Sequence, residues 1–76
     1  MNVAETLRNA FAENLGIDAA EIKDTSTLAD MGADSLDEVE VLLEAEVRFG
    51  ISITDEDWNA CNTFTNYVAL ITRLVA

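Results

Sequence analysis

The chain has 76 residues, half of them apolar, with fifteen acids, four bases, no histidine and a formal net charge of −11. That length allows one small domain, residues 1–76. The acidity excludes a surface for nucleic acid or anionic membrane and suits basic protein partners, while three glycines and no proline exclude a loop-dominated chain.

The opening MNVAETLRNAF has no basic run and no long apolar run, so it reads neither as a signal or transit peptide nor as a membrane span. Val3, Leu7, Ala10, Phe11 and Leu15 recur at helical spacing, and Gly16 follows as a stop. Residues 17–34 show no clean period. Ile17, Ile22, Leu28 and Met31 stand as isolated apolar anchors there, and a connection this long is expected to be functional or to hold a short helical turn. The helical period returns from Ser35 to Phe49 and stops at Gly50. Ile51 and Ile53 then cross back into the core. Thr54 is placed to cap a short helix from Asp55 to about Ala60. Thr63 is placed to cap a last helix carrying Phe64, Tyr67, Val68, Ile71, Leu74 and Val75. The expected fold is all-α: a small four-helix bundle of three longer helices and one short, with a long first loop.

The second helix carries two apolar stripes. At about 100° per residue, Val41, Leu42, Ala45 and Phe49 share one side, while Leu36, Val39, Leu43 and Val47 share another. Asp37, Glu40, Glu44 and Glu46 border the second stripe. A bundle helix needs one buried face. Either the helix is central and buries both stripes, or the second is a docking site with an apolar centre and an acidic rim. The rim would set association rate and partner choice more than affinity.

Ser35 lies among these acids, in GADSLDEVE. Ser35 and Glu38 have capping-box spacing, and Asp34 is an alternative cap. A hydrolytic nucleophile lacks a base, since the chain has no histidine and no G-x-S-x-G elbow. Covalent modification is the third reading. A serine at a helix start is exposed, and the free N–H groups and dipole there favour an attached phosphate.

LADMGADSLDEVE resembles the attachment motif of acyl carrier proteins, D-x-G-x-D-S-L-D, at Asp30, Gly32, Asp34, Ser35, Leu36 and Asp37. The resemblance extends over nearly the whole chain in length, acidity, helix order, the long first connection, Gly16 and Phe49. It implies that Ser35 carries a 4′-phosphopantetheine, derived from coenzyme A, through a phosphodiester. It also implies that the terminal thiol holds acyl groups as thioesters. The chain would then be a free-standing carrier and not an enzyme, delivering intermediates in fatty acid, polyketide or related lipid biosynthesis. By the same resemblance Asp34, Leu36, Asp37, Val39, Glu40, Leu43 and Glu46 meet partner enzymes; Val47 extends the stripe that periodicity shows. The implied partners are a phosphopantetheinyl transferase and acyl-transfer, condensing and reducing enzymes with basic docking patches. The expected state is a cytoplasmic monomer, and the single Cys61 fits a reducing compartment. The rival readings are a specialised carrier for an amino acid or unusual acid, and an unmodified acidic adaptor.

Several positions depart from the family pattern. Thr54 stands where many members have proline, and Leu28 and Met31 replace the usual phenylalanine and leucine. Glu38 is acidic on the side nearer the core. Trp58 and Cys61 fall in the short helix that lines the acyl cavity in the family. Trp58 would either narrow that cavity or pack as an ordinary core residue, and Cys61 reads as a small buried hydrophobe. Asp55-Glu-Asp57-Trp-Asn59 imitates the start of a calcium loop, but the required glycine falls on Ala60 and the closing glutamate on Asn66, so that motif is rejected.

Overall fold

The structure is a computed structural model and describes residues 2–76. α1 runs Val3–Leu15, α2 Ser35–Phe49, α3 Asp55–Asn59 and α4 Phe64–Val75. Each begins on a residue suited to cap it. Asn2 Oδ1 accepts from the Glu5 amide (3.0 Å), and Thr54 Oγ1 accepts from the Asp57 amide (3.1 Å). Asn66 Oδ1 accepts from the Thr63 amide (3.0 Å) at the head of α4. α1 and α2 end at Gly16 and Gly50, with φ of 68° and 64°. Their amides return to Ala12 and Glu46, a left-handed closure that glycine makes without strain.

α1 packs on both α2 and α4, and α3 packs on α4. Phe11 is fully buried at the centre. Its ring stands edge-on to Phe64 (5.8 Å), Tyr67 (5.7 Å) and Trp58 (6.3 Å), a geometry that aromatic quadrupoles favour. Leu7, Val41, Ala45 and Ile71 fill the space around it, and none of these is exposed. The four-helix, all-α reading therefore holds, and α3 ends at Asn59.

The connection between α1 and α2 is ordered by specific bonds. It contains a 3₁₀ turn at Ala19–Glu21, headed by Asp18 Oδ1 accepting from the Ala20 amide (2.9 Å). Ile22, Leu28 and Met31 are buried and fasten it to the core. Ser26, also buried, accepts through Oγ from the Lys23 amide (2.9 Å). Thr27 and Asp30 hold each other's amides through their side chains (3.1 and 3.0 Å). The segment is joined to the head of α4 by the Phe64 amide donating to Ser26 C=O (2.8 Å) and the Thr65 amide donating to Asp24 C=O (3.1 Å). An isolated antiparallel bridge pairs Thr27 with Thr63, and the described residues form no longer strand. Among them, no helix is long and apolar enough to cross a membrane.

Candidate functional site

Asp34, and not Ser35, caps α2. Asp34 Oδ1 accepts from the Asp37 amide (2.9 Å), and Asp37 Oδ2 accepts from the Asp34 amide (3.1 Å). The capping box thus lies one residue earlier than the Ser35–Glu38 pairing, with the alternative cap taking the role. Ser35 becomes the first helical residue. It is exposed, and its hydroxyl makes no hydrogen bond among the described residues. The amides of Ser35 and Leu36 likewise have no internal acceptor, as expected in a first turn. Two free donors and the positive end of the helix dipole therefore stand beside the hydroxyl, a setting that fits a phosphoryl group on that oxygen.

From Ser35 a hollow of about 270 Å³ opens between α2 and α3. Ser35, Glu38, Val39 and Leu42 line it from α2, and Asp55, Trp58 and Asn59 from α3. Trp58 is only 3% exposed, and its Nε1 is buried without a hydrogen-bond partner. The indole also packs against the Tyr67 ring, ring centres 4.5 Å apart. Trp58 is thus packed in the core, as the ordinary packing reading has it, and it also lines the hollow. Cys61 does not line this hollow. It borders separate ones, with Tyr67 and Glu38 in one and Arg73 in another. Its Sγ donates to Asp57 C=O (3.6 Å), and burial pushes its pKa up, so the thiol is held in its unreactive form. Asp55 and Asn59 are additions to the site. Their spacing with Trp58, one helical turn along α3, was the available signal, but only the approach of α2 shows which face it serves.

The two stripes of α2 separate cleanly. Val41 and Ala45 are fully buried, with Leu42 and Phe49 packed at the edge of the core. Leu36, Val39, Leu43 and Val47 are 66%, 54%, 53% and 78% exposed. A wholly buried α2 is therefore excluded, and four large apolar side chains form one solvent-facing row. Glu40 beside them is exposed. Asp34 and Asp37 sit at the upper end, their capping oxygens engaged with backbone. Glu46 is turned back: its Oε2 accepts from the Ile53 amide (2.7 Å) and holds the crossing between α2 and α3. Glu44 is paired with Arg48 (2.7 Å), which also reaches Glu13.

The three arginines contact acids: Arg8 meets Asp24, Arg73 meets Asp57, and Arg48 meets Glu13 and Glu44, the last on the border of the row. Among the described residues, the start of α2 is left as an acidic surface without a basic neighbour in ion-pair contact. Such a surface draws cationic partners over a distance set by ionic strength.

The family model described as "Phosphopantetheine attachment site" matches residues 5–71. An acyl carrier protein of Solidesulfovibrio magneticus is 45% identical over 58 residues, which covers 75% of this chain and 74% of that protein.

Proposed function

This chain belongs to the acyl carrier protein family and bears a covalent 4′-phosphopantetheine; from that premise we propose that Ser35 is the attachment point and that the exposed row on α2 is the docking face. The observation that carries the assignment is the Asp34–Asp37 capping box, which leaves Ser35 exposed and its hydroxyl outside any hydrogen bond among the described residues.

Loading needs no base from this chain. On a phosphopantetheinyl transferase, Ser35 Oγ attacks the β-phosphorus of coenzyme A. The new O–P bond forms as the anhydride bond breaks, adenosine 3′,5′-bisphosphate leaves, and the hydroxyl proton passes to a base of the transferase. The amides of Ser35 and Leu36, which have no backbone acceptor, would be the groups to meet the phosphodiester charge, and α2 would hold the anchor at the surface. The arm, when bound, supplies a thiol that carries acyl groups as thioesters.

The chain's own part is presentation. Docking raises the effective concentration of the cargo at the enzyme it meets. Leu36, Val39, Leu43 and Val47 supply apolar contact, and Asp34, Asp37 and Glu40 steer basic patches. Glu46 contributes chiefly by holding the crossing at Ile53. The partners are acyl-transfer, condensing and reducing enzymes of fatty acid, polyketide or related lipid synthesis. The half-buried thiol of Cys61 suits a reducing cytoplasm.

Intact mass after incubation with coenzyme A and a phosphopantetheinyl transferase tests the assignment. The wild type gains one phosphopantetheinyl group and Ser35→Ala gains none. A gain in Ser35→Ala would move the attachment elsewhere. No gain in the wild type with several transferases would favour an unmodified acidic adaptor.

A further inference from the structure

Two hollows of about 270 Å³ each meet at Glu38. One opens from Ser35 between α2 and α3. The other is lined by Leu28, Ala29 and Ala33 of the long connection and by Cys61 and Tyr67. Glu38 is the one residue that lines both. Trp58 and Tyr67, ring centres 4.5 Å apart, follow the same boundary, Trp58 in the first lining and Tyr67 in the second. A single layer of side chains therefore divides the two spaces. Glu38 is half-buried, and among the described residues no base pairs with it. The Tyr67 hydroxyl, pushed up to about 12 chiefly by burial, is raised further by the charges of Cys61 and Glu38, so the carboxylate stands within range of the second hollow.

We propose that Glu38 is a specificity-determining residue that closes the hollow at Ser35 against the second one, so that only a short acyl chain is sequestered. The inference rests on Ser35 being the attachment point. A chain carried there gains apolar contact with Val39 and Leu42 as it enters the first hollow. To grow into the second and reach Leu28 and Ala33 it must pass Glu38. That passage strips water from a carboxylate with no cation to replace it, and the cost opposes the burial of each further methylene. Short acyl groups are thereby held between α2 and α3. Longer ones keep their far end in water, open to an enzyme that docks.

The wild type, Glu38→Ala and Glu38→Gln are loaded by a phosphopantetheinyl transferase from butanoyl-, hexanoyl-, octanoyl- and decanoyl-coenzyme A, and intact mass confirms each product. Methyl ¹H–¹³C spectra then locate the chain. Val39 and Leu42 report on the first hollow, and Leu28, Ala29 and Ala33 on the second. Melting temperature reports burial, at a few degrees for each methylene taken out of water. In the wild type, lengthening should shift only Val39 and Leu42, and the rise in melting temperature should stop within the series. In Glu38→Ala the rise should continue to longer chains, and Leu28, Ala29 and Ala33 should shift. Glu38→Gln keeps the bulk without the charge and should lie between the two. The same length dependence in the wild type and Glu38→Ala overturns the proposal. So do shifts at Leu28 and Ala33 in the wild type, or no shift with any chain in any form. If no mass is gained, Ser35 is not the anchor and the proposal falls with that reading, whereas an unaltered length dependence after a confirmed gain strikes Glu38 alone.

Discussion

α2 and α4 are amphipathic helices of similar length whose outer faces obey different rules. α4 buries Phe64, Tyr67, Leu70 and Ile71 and turns Thr65, Asn66, Thr72 and Arg73 to water. Its pattern is explained by the core apart from Val75 in its last turn, which is 42% exposed. α2 buries Val41 and Ala45, yet its outer face holds Leu36, Val39, Leu43 and Val47, all more than half exposed. The fold derives little from leaving that row in water, so its apolar character points outward. Two helices of one bundle thus separate what folding requires from what association requires.

Paired truncations give the sharpest way to break this comparison. Ile71→Ala removes a fully buried side chain and should cost about 2–5 kcal/mol in urea unfolding. Leu43→Ala should stay within about 0.5 kcal/mol while weakening partner binding. Equal losses of stability would mean that the outer row serves the fold after all. Next in size is a pair among the acids of α2. Glu46→Ala strips the acceptor from the half-buried Ile53 amide and should cost about 1–3 kcal/mol. Glu40→Lys should leave stability nearly unchanged but slow association with a basic partner and flatten its salt dependence, as stopped-flow mixing would show. A stability loss in Glu40→Lys matching that of Glu46→Ala would erase the distinction between rim and brace.

The inner face of α4 has a signature of its own. Burial, with Cys61 and Glu38 adding to it, pushes the Tyr67 hydroxyl up to about 12 from an ordinary 10.0. The unfolded chain then releases this proton before the native state does, so the native state holds more protons between those values. Stability from this group is complete below about pH 10 and falls as pH rises towards about 12. Urea midpoints across that window should decline in the wild type and decline less in Tyr67→Phe. The smallest effect is general. Fifteen acids against four bases make the molecule repel itself, so added salt should raise the melting temperature by screening, and a flat or falling trend would count against that account.

Much of this was legible in the chain. Helical periods and the stops at Gly16 and Gly50 marked α1 and α2, and Thr54 marked the start of α3. The helix start at Ser35 was ambiguous for a physical reason. Asp34 with Asp37, and Ser35 with Glu38, are overlapping boxes of equal spacing, and only geometry chooses between them. The turn of Glu46 towards Ile53 was hidden because it depends on how the chain returns after Gly50. The two roles of Trp58 were hidden for a related reason. Periodicity ranks a residue as inside or outside, and this one is a boundary between the core and a hollow.

The seam between the long connection and the head of α4 has a consequence for how such a chain can change. Ser26 to Phe64, Asp24 to Thr65 and the Thr27–Thr63 bridge are joined largely through main-chain atoms. Bonds of that kind ask little of the side chains that decorate them. A scan of all substitutions should therefore find exposed positions such as Thr25 and Ala29 permissive, and Leu28 and Met31 restricted to apolar replacements. The surface of this segment is free to drift in sequence, and so to be reshaped for new partners, while the serine beyond it stays where it is.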